Sequence, residues 1–279
     1  MIIRRTALTK YGDSVGIISI DLPWKSTNKA HRALAIANLD KDVRIKRAEN
    51  DDELLQLVQN NVEQGSFVLL DIPIEGCVHG KNFRPVDKAL SHQGIWIQPI
   101  FSAEDRGKVL KRHIQNLNRG KNLIVQEIYP YAIYKFLAYL KNNGLLPRLS
   151  PGKFDTLLGD GFPKFIPPKY KREGVRNKRL ENMRYLYSLL VDSNISLKFS
   201  TPLAYPDSSY TLNELNSLAD EYDACLGAIV GICWAKGSPY AWMAGGAKSG
   251  EILVLADEWL KARLEKETQI RRENAISSY

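Results

Sequence analysis

Three apolar runs in this chain each end on an acid: residues 15–21 (VGIISID), 66–71 (SFVLLD) and 122–127 (NLIVQE). Short uninterrupted runs of this kind belong to strands covered on both faces, the buried parallel type. A fourth acid, Asp223, stands directly before ACLGAIVGICWA, twelve residues without a charge. An isolated ionised carboxylate in such a setting costs roughly several kcal/mol, so each acid needs a partner or a shifted pKa. The chain has four His, and its three Cys (Cys77, Cys225, Cys233) lack ligand spacing. A divalent ion with oxygen ligands, Mg²⁺ or Mn²⁺, is therefore the economical partner for Asp21, Asp71, Glu127 and Asp223 together.

The order of elements places these acids. Residues 15–21, 33–39 and 43–47 read as three strands, the last two joined by a turn at 40–42. Asn50 or Asp51 caps a helix with Leu54, Leu57, Val58 and Val62 at helical spacing, and Gly65 closes it. Strand 66–71 follows. Three strands, a helix and a central strand ending in an acid is the ribonuclease H-type order, so the expected class is α/β, a ribonuclease H-like mixed sheet flanked by helices. Loop-rich insertions are expected at about 72–100 and 144–210, rich in Pro and Gly. Between them come a helix near 103–117, a strand at 122–128 and a helix at 131–142 with Pro130 in its first turn. Beyond lie a basic helix at 173–192, a helix at 212–235 with Thr211 and Glu214 as capping box, a strand at 251–256 and a charged helix at 257–274. One domain over 1–256 with a charged C-terminal helix over 257–279 is the expected organisation.

Each acid also has a plain structural reading. Asp21 and Asp71 both precede a Pro by two residues, as turn acids do. Their repetition at the ends of neighbouring parallel strands favours a shared ion. Glu127 could serve a helix N-terminus. Asp223 shares a helix face with Ala219, Leu226 and Val230, which points it to the sheet; Asp220 beside it is a second candidate. Three or four carboxylates are what two ions about 4 Å apart need in order to activate a water and stabilise a leaving oxygen. Arg84 and Asp87, three residues apart, form either an ion pair at a helix start or a border of the same cleft with Arg84 on a phosphate. No nucleophile triad competes, the four His are expected to be exposed, and residues 245–250 (GGAKSG) lack Walker spacing and read as a flexible turn.

The formal net charge is +8, and it is concentrated. Residues 164–184 carry eight Lys or Arg against Glu173 and Glu181, net +6, and a second basic stretch covers 106–121. A concentrated basic segment suits a nucleic-acid partner, with Lys169, Lys171, Arg172, Arg176 and Arg179 on phosphates, or else a solvated helix face. Reduced packing cysteines and the absence of about 18 consecutive apolar residues imply a cytoplasmic protein with no membrane span.

The blocks SIDLPW, LLDIPIEG, FRPVDKAL…GIWIQP, VQEIYPYAIYKFL and DEYDACLGAIVGICWA resemble, in order, those of the domain of unknown function 429 family, over roughly residues 15–256. That family is described as predicted nucleases of the ribonuclease H-like fold, closest to its resolvase branch. The resemblance implies Asp21, Asp71, Glu127 and Asp223 as the catalytic and metal-binding acids, with Asp87 the acid of the R-x-x-D block. Ser19 stands where a glycine is common, and GEILVL lacks the proline that would follow it. The implied activity is a metal-dependent nuclease acting on structured DNA or RNA. The alternatives are a non-catalytic nucleic-acid-binding protein of the same fold and a small-molecule phosphotransferase of the actin-like group; against the last, no glycine-rich phosphate loop follows the first strand.

Overall fold

The computed structural model describes residues 15–23, 32–75, 83–97, 103–149, 156–171, 175–246 and 250–276. Strand β1 (Ile17–Asp21) lies at the centre, antiparallel to β2 (Arg32–Ala37) and parallel to β4 (Phe67–Leu70). β3 (Asp42–Ala48) extends the antiparallel side to the two-residue β6 (Lys198–Phe199), and β5 (Ile124–Glu127) pairs in parallel with β4. The result is a six-stranded mixed sheet in the order β5-β4-β1-β2-β3-β6, flanked by helices. A second, two-stranded sheet joins β7 (Ala241–Gly246) to β8 (Gly250–Leu255), and Leu253 bridges to Ile128 just past β5. Among the described residues no helix is long and apolar enough to cross a membrane.

Strand alternation sorts the core into two layers. Ile18, Ile20, Leu34, Ile36, Val68 and Leu70 pack under helices α1 (Asp51–Asn61) and α3 (Ala103–Leu117) through Leu54, Val58, Leu110 and Ile114. Ile17, Ala33, Ala35, Phe67 and Leu69 face the other layer. That layer holds α2 (Pro85–His92), α4 (Pro130–Asn142), α5 (Arg176–Leu190), α6 (Leu212–Ala235) and α7 (Glu258–Ile276).

Most expected elements are present within a residue or three of their reading. Asn50 is the cap of α1, accepting the Glu53 amide at 2.9 Å, and Thr211 and Glu214 form the capping box of α6. Gly65 differs. The helix ends at Asn61, and Gly65, at φ +77°, serves the turn into β4 instead. Two elements were only partly legible: the start of α2 was read at Arg84 and Asp87 within a stretch otherwise taken as loop, and the strand at 241–246 was not expected, only a flexible turn at 245–250 that overlaps its last two residues.

The register of α6 on β1 sets the site. A Cβ at Gly227 would stand 2.0 Å from Ser19 Oγ and 2.3 Å from Ile128 Cδ1; one at Gly231 would stand 2.6 Å from Ile17 Cγ2. Four residues of helix rise about 6 Å and two of strand about 6.7 Å, so the helix runs antiparallel to the strand in step with it. Gly231 covers Ile17, Gly227 covers Ser19, and one turn further Asp223 arrives over Asp21. In a free helix Gly227→Ala would gain about 1 kcal/mol. Here overpacking is expected to outweigh that gain, for a net loss of about 1–3 kcal/mol by urea denaturation. Adding Ser19→Gly should return part of the loss. A Gly227→Ala variant as stable as the parent would mean that α6 does not sit on β1 this closely.

Candidate active site

Hydrogen bonding between β1 and β4 runs to their ends, where the Asp71 amide donates to the Ile20 carbonyl at 3.0 Å. The carboxyls of Asp21 and Asp71 thus emerge side by side, close enough for each to act on the other's charge. Burial, then the charge of Asp223, pushes Asp71 up to about 7. Burial also holds Asp21 well above the carboxylate range, against the pull of Lys171.

Asp223 comes in from α6, buried, with both oxygens engaged. Tyr170 Oη donates to Oδ1, and Lys171 Nζ lies 2.6 Å from Oδ2. The same ammonium is 3.0 Å from Asp220 and 3.5 Å from both oxygens of Asp21. Burial opposes the charge on Lys171, yet Asp21, Asp223 and Asp220 outweigh it and hold the ammonium well above its ordinary range. Burial raises Asp223, with Lys171 and Tyr170 pulling the other way.

Glu127 occupies the end of β5, but its carboxylate is committed elsewhere. Arg84 donates to it bidentately, at 2.7 and 2.5 Å, and the Ile74 amide donates at 3.0 Å. Arg84 also holds Asp87 at 2.8 Å and the Glu75 carbonyl at 2.9 Å. Asp87 in turn accepts the Arg84 amide at 2.8 Å, closing the first turn of α2. Arg84 and Asp87 form the expected ion pair at the start of α2, and both are buried. Together with Asp71 and Glu127 they line one small cleft beside Ile97, Ile128 and Tyr129. Burial raises Glu127 against Arg84, and the two carboxylates raise Arg84 despite burial.

The arrangement therefore differs from four acids around a pair of ions. Among the described residues no group of three His, Cys, Asp or Glu side chains could hold an ion. Two built-in cations explain why: Lys171 draws Asp223 and Asp220 to itself, and Arg84 draws Glu127 and Asp87. Asp21, although 3.5 Å from Lys171, stands beside Asp71 at the ends of β1 and β4, and these two carboxyls are the pair that could hold an ion. Mg²⁺ commonly takes one or two carboxylates and keeps waters for its other positions, so this pair suits one ion.

The basic segment also takes a different role from the one expected. Arg176 donates to the carbonyls of Ser208 and Tyr210, buried Arg179 donates to Asn216, and Arg184 donates to the Pro206 carbonyl. Guanidinium donors on carbonyls of the chain entering α6 tie that loop down rather than reach for phosphate. Lys171 points into the acids, and Lys169 is exposed. Arg172 lies outside the described residues. In the second basic stretch Arg106 pairs with Asp51 at 2.7 Å and Lys111 pairs with Glu75. His92 and His113 are exposed as expected; His31 and His79 lie outside the described residues.

Lys171 reaches the acids because the segment before it is pinned. Asp257 accepts the amides of Leu157 and Leu158 at 2.7 Å each. Fully buried Lys135 donates to the carbonyls of Gln93, Gly94 and Pro163 at 3.1, 2.8 and 3.2 Å. Tyr134 holds the Pro168 carbonyl at 2.9 Å, and Asn182 holds that of Lys169 at 2.9 Å. Sequence reading placed Lys171 on phosphate and missed that it and Tyr170 meet the acids, because net charge along a segment does not tell a cation turned inward from one in solvent. The chain matches no known family model, curated protein or solved structure.

Proposed function

We propose that this protein is a metal-dependent phosphodiesterase, a nuclease acting on structured DNA or RNA with Mg²⁺ or Mn²⁺. The observation that carries the reading is the Asp21–Asp71 pair at the ends of adjacent parallel strands, with Asp223 delivered beside it by α6. Asp21 and Asp71 would hold the ion, which supplies an activated water and charge stabilisation when bound. The sheet order β3-β2-β1-β4-β5, antiparallel then parallel, supports a ribonuclease H-like fold, and with it the resemblance to the domain of unknown function 429 family.

A second reading is a nucleic-acid-binding protein of the same fold without turnover. It is favoured by Lys171 and Arg84, which already neutralise part of the acid set without any ion. Incubation with branched, single-stranded and double-stranded DNA and RNA, each with Mg²⁺, Mn²⁺ or EDTA, separates the two. Metal-dependent cleavage of any substrate, lost in Asp21→Asn, is the expected result. Binding without cleavage in every metal condition would favour the second reading.

A further inference from the structure

We propose that Lys171 stands in for the second metal ion of the site, so that the protein works with one divalent ion and one ammonium. The inference deepens the metal-dependent reading above and rests on it. Two-ion phosphodiester chemistry needs positive charge on both sides of the scissile phosphate, shared between carboxylates. Here the charge on one side is covalently attached to the chain. Lys171 Nζ is 2.6 Å from Asp223, 3.0 Å from Asp220 and 3.5 Å from each oxygen of Asp21. An ammonium spanning Asp21 and Asp223 puts a fixed positive charge between those two acids, the charge a second ion would otherwise supply. Asp223 has its other oxygen taken by Tyr170.

The placement is built rather than incidental. The segment leading to Lys171 is fastened by Asp257, Lys135, Tyr134 and Asn182, each through a main-chain group. A loose surface lysine would need none of this.

The geometry also gives the ammonium a task. Of its three N–H donors, two are spent on the short contacts to Asp223 and Asp220, and the contact to Asp21 is the longest. That third donor is the one an anionic phosphate oxygen can take over without breaking the others. Lys171 then bridges the acid cluster to the substrate, as a point charge that does not dissociate with the product.

The test counts ions on the full-length protein. Mn²⁺ is titrated by isothermal calorimetry, with electron paramagnetic resonance to detect a spin-coupled ion pair. The wild type and Lys171→Arg are expected to bind one Mn²⁺ per chain with no coupled signal. Lys171→Met, with Asp223 and Asp220 released, is expected to bind two and to show the coupled signal. Two ions in the wild type, or one in Lys171→Met, overturns the inference while leaving the metal-dependent reading in place. No Mn²⁺ bound to the wild type removes that reading, and this inference with it. Should Lys171→Met fail to fold, the counts for the wild type and Lys171→Arg decide, since a second ion in either contradicts a resident ammonium.

Discussion

Replacing Arg84 with Met is expected to destabilise the protein by about 3–5 kcal/mol, the largest loss foreseen for any single change. Arg84 is 2% exposed and serves Glu127 through two parallel hydrogen bonds and Asp87 through its Nε and Nη2 groups. A thioether fills some of the volume and none of the charge, so two buried carboxylates lose the counter-charge they share at once. They escape the penalty by taking up protons. The deficit should therefore be smaller at pH 5 than at pH 8, and urea melts at the two pH values check this. Changing Glu127 to Gln and Asp87 to Asn in the same background should recover a large part of the loss, because the charges that needed Arg84 are gone. A single-variant loss under about 1 kcal/mol would mean that the cluster is screened like a surface pair.

The Arg84 cluster also marks where sequence reading succeeds and where it stops. Strand-end acids were legible because an apolar run closed by Asp or Glu leaves little choice about where the acid sits, and Asp21, Asp71 and Glu127 do end adjacent strands. Asp223 was legible from helical periodicity, and it is buried over the sheet. What no periodicity encodes is which cation each acid meets. Glu127 meets Arg84 from 43 residues away, and Asp21 meets Lys171 from 150 away. Lys171 was read as a phosphate ligand or part of a solvated face, and Arg84 as a phosphate ligand or half of an ion pair, because a basic residue near a cleft looks the same in sequence whether it faces in or out. Helix α2 was legible only at its start, at Arg84 and Asp87, for a local reason. Pro85 and Asp87 are proper first-turn residues, but eight residues between Gly-containing stretches give periodicity too little length to register.

The contact between α6 and β1 shows a third kind of information. Asp223, Gly227 and Gly231 recur every four residues, and Ile17, Ser19 and Asp21 every two. Each pattern alone is ordinary; matched, they fix how far along the strand the helix sits and bring Asp223 to Asp21 rather than past it. Ser19 is the residue that Gly227 makes room for, so the smallness needed at that crossing lies on the helix side.

Asp71→Asn is expected to lower metal-dependent cleavage on the order of 10²–10³-fold, as loss of a preorganised electrostatic group does, while making the metal-free protein more stable at pH 8. The direction follows from a buried carboxyl that titrates higher in the folded protein than in the unfolded chain. Burial and the charge of Asp223 push Asp71 up to about 7, whereas an unfolded Asp titrates near about 3.9. Between about pH 4 and pH 7 the folded state keeps a proton that the unfolded chain has released. Stability accordingly falls as pH rises through that window and levels off above it. Asn has no proton to release, so this part of the slope disappears, and the gain at pH 8 should be of order 2 kcal/mol after allowing for partial exposure. For a chain of this size that is a rise of about 4–8 °C in Tm in EDTA. Mg²⁺ reverses the ranking: at about 100 times its Kd it should stabilise the wild type by about 2.7 kcal/mol and the variant by much less. Thermal melts of both proteins at pH 5 and pH 8, with EDTA and with Mg²⁺, measure all of these effects. If the variant gains as much from Mg²⁺ as the wild type does, the ion binds away from Asp71. If the two proteins show the same pH slope in EDTA, the titration of Asp71 is not what sets that slope.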